Sequence, residues 1–223
     1  MAEGATAVAS DVRREQMLRA ALEVIVERGF PETRIADVAE RAGVSPALVI
    51  YYFKTKDALL GDAMRYAEDR WYEDGARRLQ AIPTAAGRLT ELVSMSCIAS
   101  ADHDVQDSWS LWLDLWAQSV RHPAVAEVRA EFDEHWRRTI REIVTEGEET
   151  GEFYPVDVDE FAVMFCSLLD GLAIQIAVGD PVVDAQRAFD VAMSAASRLL
   201  GFELPRAGAT QNRRKAGGAR VRG

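Results

Sequence analysis

The sequence is poor in the residues that build metal centres, disulfide frameworks and nucleophilic active sites. It has two cysteines, Cys97 and Cys166, and three histidines that are scattered along 223 residues. Both cysteines lie in apolar helical patterns, which favours reduced buried thiols over a disulfide or a zinc site. A Gly-rich phosphate loop and a recognisable Ser/His/Asp or Cys/His arrangement are also missing. We therefore expect no metal, no cofactor and no enzymatic activity.

Long uninterrupted hydrophobic runs are absent as well. The most apolar window, residues 161–178, contains Ser167, Asp170 and Gln175, and no charged segment followed by an apolar run opens the chain. These observations predict a cytoplasmic protein without a membrane partner. The apolar content of 48% is sufficient for a substantial core, in one large domain or two small ones.

Positive charge is scarce in total, but its distribution along the chain is uneven. The net charge is −10, whereas residues 1–56 contain eight basic and eight acidic side chains and are neutral. Residues 203–223 have a net charge of +5, so residues 57–202 carry −15. A DNA-binding surface needs local basic groups rather than a basic total, so this balance does not exclude one in the first segment.

Two short helical patterns lie on either side of a tight turn in residues 33–56, TRIADVAERAGVSPALVIYYFKTK. The first pattern begins at Thr33, a good N-cap residue, and ends at Gly43, which can adopt a positive φ. The second begins at Ser45, with Pro46 in the first helical position. This arrangement predicts a helix-turn-helix.

The free face of the second short helix combines a small side chain with hydroxyl and ammonium groups. Ala47 allows close approach to base edges, while tyrosine hydroxyls, lysines and helix N-termini suit phosphates. Any compact three-helix unit would also need a Gly turn, caps and surface lysines. The predicted DNA-binding residues are Thr33, Ser45, Pro46, Ala47, Ile50, Tyr51, Tyr52, Lys54 and Lys56.

The spacing of several residues in this segment resembles that of the TetR family of bacterial transcriptional regulators. The matching residues are Thr33, Ala39, Gly43, Val44, Ser45, Tyr52, Phe53 and Lys56. The family often has an aromatic residue at position 50 and a histidine at 51 or 52, so base preference cannot be transferred from a relative. The resemblance implies an all-α protein with an N-terminal three-helix DNA-binding domain and a C-terminal helical domain for ligand binding and dimerisation.

The remainder of the chain divides into four predicted segments. They are a disordered arm (1–10), the helix-turn-helix domain (11–56), a ligand-binding and dimerisation domain (57–202) and a basic disordered tail (203–223). Helical patterns cover residues 11–28, 56–80, 85–100, a short tryptophan-rich stretch, 123–149, 159–178 and 183–200, with a loop at 101–107.

The helix predicted at residues 159–178 is apolar on nearly every face, which one domain of this size cannot bury. A partner surface is therefore expected. Together with the helix at 183–200, it would form a two-fold four-helix interface in a homodimer, and the TetR resemblance implies the same arrangement.

Residues 105–200 also resemble the C-terminal domain of BetI-type members of the family. The resemblance lies in the tryptophan-rich helix, the His-Pro break, the Glu-Thr-Gly-Glu-Phe loop and the Leu-Leu-Asp-Gly-Leu segment. It implies a small-molecule effector, and a cationic or amphipathic one suits the local chemistry. The predicted ligand-binding residues are Trp109, Trp112, Trp116, Phe165 and Asp170. Core packing is the alternative for the tryptophans, and pairing in the dimer interface is the alternative for Asp170.

These patterns predict a dimeric transcriptional regulator that binds double-stranded DNA at a palindromic operator. We expect a repressor that a small molecule releases from its operator. A ligand-independent DNA-binding protein and an activator remain as alternatives.

Overall fold

A computed structural model describes residues 2–98 and 105–204 of the protein. Within these residues the chain forms nine helices and no strand, which confirms the all-α prediction. The helices are α1 (Ala2–Glu32), α2 (Ile35–Arg41), α3 (Pro46–Phe53), α4 (Lys56–Gln80), α5 (Ala85–Cys97), α6 (Val105–Ser119), α7 (Pro123–Glu149), α8 (Val158–Ala177) and α9 (Ala185–Leu200).

The first three helices pack into the predicted helix-turn-helix unit. Met17 and Ile25 on the buried face of α1 belong to the same apolar cluster as Val38 of α2, Val49 of α3 and Phe53. Because α2 has 7 residues and α3 has 8, neither helix would be stable alone. Packing against α1 therefore stabilises both.

Helix α1 starts earlier than the sequence pattern indicated. It begins at Ala2, so the prediction of a disordered arm is wrong for residues 2–10. Alanine, the residue with the highest helix propensity, occupies four of these positions and favours continuation of the helix beyond the expected cap. The helix is interrupted at Gly29, where φ is 76° and ψ is 157°, close to the predicted end.

The other helix bounds agree with the predictions more closely. The bounds of α4, α7, α8 and α9 lie within two residues of the predicted ones. Helix α5 ends at Cys97 rather than residue 100, and α6 begins at Val105, so residues 105–107 are helical and not part of a loop. Residues 99 and 100 of the predicted helix, residues 101–104 of the predicted loop and residues 205–223 of the predicted tail lie outside the described residues.

Apolar side chains form two clusters, and the first crosses the predicted domain boundary at residue 56. Leu60 and Met64 of α4, Leu115 of α6 and Val128 of α7 pack in the same cluster as α1 to α3. The second cluster is built from α5, the second half of α7, α8 and α9. Helices α4, α6 and α7 therefore connect the helix-turn-helix unit to the body of the molecule through a shared apolar cluster.

Helix α8 is the most apolar of the long helices that the structure describes. A window of 18 residues within it has a mean hydropathy of 1.6, so it is long and apolar enough to cross a membrane, although core helices of soluble proteins can have the same length and composition. Residues on one side, among them Phe161 and Phe165, are buried in the second cluster. Apolar side chains on its other side are exposed, as is one on α9, and together they form the α8/α9 face: Met164, Ile174, Val178 and Leu199.

Candidate functional site

The turn between α2 and α3 has the geometry that the sequence predicted. Gly43 adopts a positive φ of 66°, and the Val44 N–H donates to the Ala39 carbonyl at 2.9 Å. The Ser45 hydroxyl caps α3 by accepting a hydrogen bond from the Leu48 N–H at 3.2 Å. The helix dipole would favour a negatively charged phosphate at this N-terminus.

The outer face of α3 is free to contact another molecule. The side chains of Pro46 and Ala47 are exposed, and Ile50 and Tyr51 are 48% and 69% exposed. Large apolar and aromatic groups are rarely left this open on a short helix unless they meet a partner. We define these four residues together with Ser45 and Lys54 as the α3 surface.

The side chains of Tyr51, Tyr52 and Lys54 at the end of α3 have local contacts. The Lys54 ammonium group donates to the Tyr51 carbonyl at 2.6 Å and lies 5.0 Å from the centroid of the Tyr51 ring. The Tyr52 hydroxyl is 3.1 Å from the Ser10 hydroxyl, so α1 limits the motion of this ring. Lys54 and Tyr51 therefore present one charged and one aromatic group on the same exposed patch.

Two residues predicted to contact DNA have internal partners instead. Thr33 is only 4% exposed, and its hydroxyl donates to the Gly29 carbonyl at 2.8 Å, so its predicted place on the DNA-binding surface is wrong. The cap of α2 is Arg34, whose N–H donates to Asp37 at 3.1 Å. The reason is that the break at Gly29 leaves a carbonyl that Thr33 satisfies.

Lys56 is the second residue with internal partners. Its ammonium group donates to the Pro31 carbonyl at 2.9 Å and lies 4.4 Å from the centroid of the Phe30 ring, and partial burial lowers its pKa. Lys56 thus joins the first turn of α4 to the break in α1. The sequence did not predict this role because the break is remote from Lys56 along the chain.

A cavity of about 910 Å³ lies in the body, between helices α1, α4, α5, α6, α7 and α8. Three of the five predicted ligand-binding residues, Trp109, Trp112 and Trp116, line it together on α6. The Trp112 and Trp116 ring centroids are 6.5 Å apart, and Trp112 meets Phe132 edge to face at 5.5 Å. Trp136 of α7, which the sequence reasoning did not assign, is a fourth tryptophan in the wall.

Acidic side chains lie among these rings. Asp170 lines the cavity as predicted, and its side chain is exposed in the single chain. Partial desolvation and the nearby Asp133 carboxylate raise its pKa. Glu68 of α4 also lines the cavity but is 7% exposed, and desolvation raises its pKa to about 8. The sequence did not indicate that Glu68 is buried, because it lies in a polar stretch of α4.

Phe165 does not line the cavity, so this predicted ligand contact is wrong. Its side chain is fully buried in the second cluster and stacks on Phe161 with ring centroids 5.2 Å apart. The cavity wall is formed by the adjacent face of α8, which includes Cys166 and Asp170. Because α8 is apolar on nearly every side, its sequence could not indicate which face meets the cavity.

A connection from this cavity to the helix-turn-helix unit runs through α6. Asp114, between two cavity tryptophans in sequence, points away from the cavity and accepts a hydrogen bond from the Phe30 N–H at 2.9 Å. Phe30 directly follows the break at Gly29. One helix therefore contacts both the cavity and the end of α1.

The part of the chain that the structure describes contains no group of three His, Cys, Asp or Glu side chains placed to hold a metal ion. Cys97 and Cys166 are free thiols, and burial raises their pKa values to about 11 and about 12. Both thiols are therefore protonated and unreactive at neutral pH.

Comparison with known proteins identifies the family of this fold. Residues 17–63 match the model of bacterial regulatory proteins of the tetR family, and residues 85–201 match that of the C-terminal domain of BetI-type transcriptional repressors. The second match covers more than half of the chain. The chain belongs to the TetR family of bacterial transcriptional regulators. Its C-terminal domain is of the BetI type, and it is a transcriptional regulator rather than an enzyme.

Relatives of this TetR-family regulator match it over most of their length. The HTH-type transcriptional regulator BetI of Burkholderia mallei (strain NCTC 10229) is 31% identical over 194 residues, which are 85% of this chain and 94% of that protein. The BetI regulator of Escherichia coli (strain K12) is 30% identical over 181 residues, 79% of this chain and 88% of its own.

Solved structures give the same result. A putative transcriptional regulator from Saccharomonospora viridis, in complex with choline, is 28% identical and has a TM-score of 0.75, covering 85% of this chain and 96% of its own. A putative TetR-family regulator from Rhodococcus sp. is 27% identical, with a TM-score of 0.74, and covers 84% and 98%. Proteins of this family bind DNA and small-molecule effectors.

Proposed function

We propose that this TetR-family regulator is a cytoplasmic homodimer that represses transcription from a palindromic operator and is released by a small cationic effector. The proposal rests on α6. Its tryptophans line an aromatic and acidic cavity, and its Asp114 accepts a hydrogen bond from the helix-turn-helix unit, so this one helix links the two.

The α3 surface supports the contact with DNA. A second helix of a helix-turn-helix enters the major groove, and the small side chain of Ala47 permits close approach to base edges. Tyr51 and Lys54 stand at the exposed end of the same helix. Ser45 caps the N-terminus of this helix, where the helix dipole favours a phosphate. In this proposal Ala47, Ile50 and Tyr51 read bases, while the other groups position the helix on the backbone.

The α8/α9 face supports the dimer. Four large apolar side chains on two neighbouring helices are between 38% and 67% exposed in the single chain. A two-fold contact between two such faces would bury them in a four-helix interface. The dimer would present two α3 helices to successive major grooves of one palindromic site, roughly 34 Å apart.

The cavity wall supports a cationic effector. Tryptophan faces attract cations, most strongly when water is excluded, and Trp112 and Trp116 lie together in this wall. The Asp170 carboxyl group adds negative charge, and the Glu68 carboxyl group also lines the cavity. The related Saccharomonospora viridis regulator was crystallised with choline, a quaternary ammonium ion. We therefore propose a quaternary ammonium compound such as choline.

The contacts around α4 indicate how an effector would reach the DNA-binding surface. Met64 and Glu68 line the cavity on α4, and the same helix begins at Lys56, which binds the Pro31 carbonyl. Arg65 of α4 is paired with Glu131 of α7 at 2.9 Å. An effector that separates α4 from α6 and α7 would tilt α4, and the two α3 helices would no longer fit one palindrome.

A coupled binding experiment tests the proposal. DNA flanking the gene is titrated with the protein in mobility-shift assays, with and without saturating choline. We expect choline to lower operator affinity about 5- to 150-fold, the range that corresponds to coupling free energies of 1–3 kcal/mol. Saturating operator must then weaken choline binding by the same factor, measured by calorimetry. Equal choline affinity with and without operator would contradict release by this route.

A further inference from the structure

We propose that Glu68 recognises the positive charge of the effector, and that its carboxyl group releases a proton to solvent when the cation binds. The inference rests on the proposed cationic effector. It adds a residue for charge recognition and a dependence of effector binding on pH, both located on α4, the helix that begins beside the break in α1.

One oxygen of the Glu68 carboxyl group is unsatisfied. The residue lines the cavity, yet it is 7% exposed, and its Oε1 atom is buried and accepts no hydrogen bond from the described residues. Leaving a buried carboxyl oxygen without a donor or a counter-charge costs free energy. A cation in the cavity would supply the missing favourable interaction.

The arginines across the cavity do not supply this interaction. On α7, Arg129 is paired with Asp133 at 2.5 Å and Arg137 with Glu134 at 3.3 Å. Each of these positive charges therefore already has an acidic partner. Arg19, Arg70, Arg77 and Arg78 also line the cavity, and Arg19 and Arg70 lie within ion-pair distance of Glu15, as Arg78 does of Glu91. Because the arginines in these ion pairs have acidic partners, whereas the Glu68 Oε1 atom accepts no hydrogen bond from the described residues, a cation is favoured beside Glu68.

The tryptophans would allow the cavity to bind a cation that has no hydrogen-bond donor. A quaternary ammonium ion has no N–H group, so only nearby negative charge and aromatic faces can recognise it. Trp112 and Trp116 line the same cavity as Glu68 and present apolar aromatic rings to it. A carboxylate interacts more strongly with a cation in such surroundings than in water.

The protonation state of Glu68 in the ligand-free protein depends on the groups around it. Charged and titratable groups line the cavity with Glu68 on four helices: Arg19 on α1, Tyr66, Arg70, Glu73, Arg77 and Arg78 on α4, Arg129, Asp133 and Arg137 on α7, and Cys166 and Asp170 on α8. Asp69 and Tyr72 of α4 also act on its carboxyl group. The described lining residues of α5 and α6 are uncharged. Burial raises the pKa of Glu68, a hydrogen bond with Tyr72 opposes the rise and the Asp69 charge adds to it, which together give a value of about 8.

Glu68 is therefore mostly protonated in the empty protein at pH 7, in about nine molecules of ten for a pKa of about 8. A cation at the cavity wall favours the charged carboxylate, so the acid dissociates as the cation binds. The neutral Glu68 acid and the free cation thus become a Glu68 carboxylate with a bound cation, and one proton enters the solvent.

Calorimetry with choline chloride tests the inference. The titration is run at pH 7 in phosphate and in Tris, whose ionisation enthalpies differ, so the difference in heat gives the number of protons released. We expect nearly one proton for the unmodified protein, and a dissociation constant that falls about tenfold per pH unit between pH 6 and 7 and becomes constant above about pH 8.5. Glu68→Gln should abolish both the proton release and the pH dependence and should weaken choline binding.

Two controls make the outcome specific. Glu73→Gln makes the same chemical change at an exposed lining residue of α4 and should leave the proton release unchanged. The uncharged analogue 3,3-dimethylbutan-1-ol should bind without releasing a proton.

The possible results separate this inference from the proposed function. Choline binding without proton release, or with the same release in Glu68→Gln, would overturn the role of Glu68 and leave the cationic effector standing. Proton release on binding of the neutral alcohol would also overturn it. Failure of choline and tetramethylammonium to bind at millimolar concentration would overturn both proposals.

Discussion

Replacement of Glu68 by glutamine should stabilise the ligand-free protein, and the gain should grow with pH. Glutamine has nearly the same shape as glutamic acid but cannot ionise. In the folded protein the pKa of Glu68 is raised from 4.5 to about 8, so folding favours the protonated acid. Above the folded pKa, the native state must hold a buried charge that the unfolded chain exposes to water.

The magnitude follows from this difference in pKa. A rise of about 3.5 units corresponds to at most about 4.8 kcal/mol, at 1.36 kcal/mol for each unit. Because Glu68 is only 7% exposed, solvent screens little of this cost, but relaxation of the cavity reduces it. The stability that the acid form contributes is fully present below about pH 4.5 and is lost as the pH rises through about 8. We expect the difference in unfolding free energy between Glu68→Gln and the unmodified protein to grow by about 2–4 kcal/mol between pH 5 and pH 8.5.

Urea unfolding followed by circular dichroism measures this difference. The unmodified protein and Glu68→Gln are compared at pH 5, 7 and 8.5, without effector and at one protein concentration, since dimerisation makes stability depend on concentration. Glu73→Gln is the matched control, and its difference from the unmodified protein should stay within about 0.5 kcal/mol at every pH. A constant difference between Glu68→Gln and the unmodified protein across this range would show that Glu68 ionises normally in the folded state.

Three further predictions concern the proposed reading, coupling and dimer surfaces. Lys54→Ala should weaken binding to all DNA sequences alike and lower the salt slope by about one, whereas Ala47→Ser should change which sequence is preferred, as measured by mobility shifts on operator variants. Asp114→Ala removes the charge-assisted hydrogen bond to Phe30, so choline binding measured by calorimetry should persist while its effect on operator affinity falls; an unchanged effect would contradict this route. Met164→Lys places a charge in the α8/α9 face and should give a monomer by light scattering, and a stable dimer would place the interface elsewhere.

The sequence predicted local structure well where the chain has strong start and stop signals. Ser45 and Pro46 begin α3, Gly43 forms the turn with a positive φ, and Pro123 begins α7, because these residues favour one backbone conformation through their own chemistry. The start of α1 was missed because the alanines before Asp11 extend the helix without any capping signal.

The candidate cavity was predicted only in part. The spacing of the three tryptophans places their rings on one face of α6, and that spacing could be read directly from the chain. Phe165 was assigned to the wrong side because a helix that is apolar all round gives no period from which to choose a face. The same lack of period left the environment of Asp170 open.

The sequence by itself determined the fold class, the helix-turn-helix and the tryptophan face of α6, because each depends on residues close together in the chain. Only the tertiary structure decided that Glu68 is buried against those tryptophans, and that Asp114 and Lys56 both bind the segment after Gly29. These contacts join residues 25 or more positions apart. Their energies depend on which helices pack together and on how much water that packing excludes, which no local pattern contains.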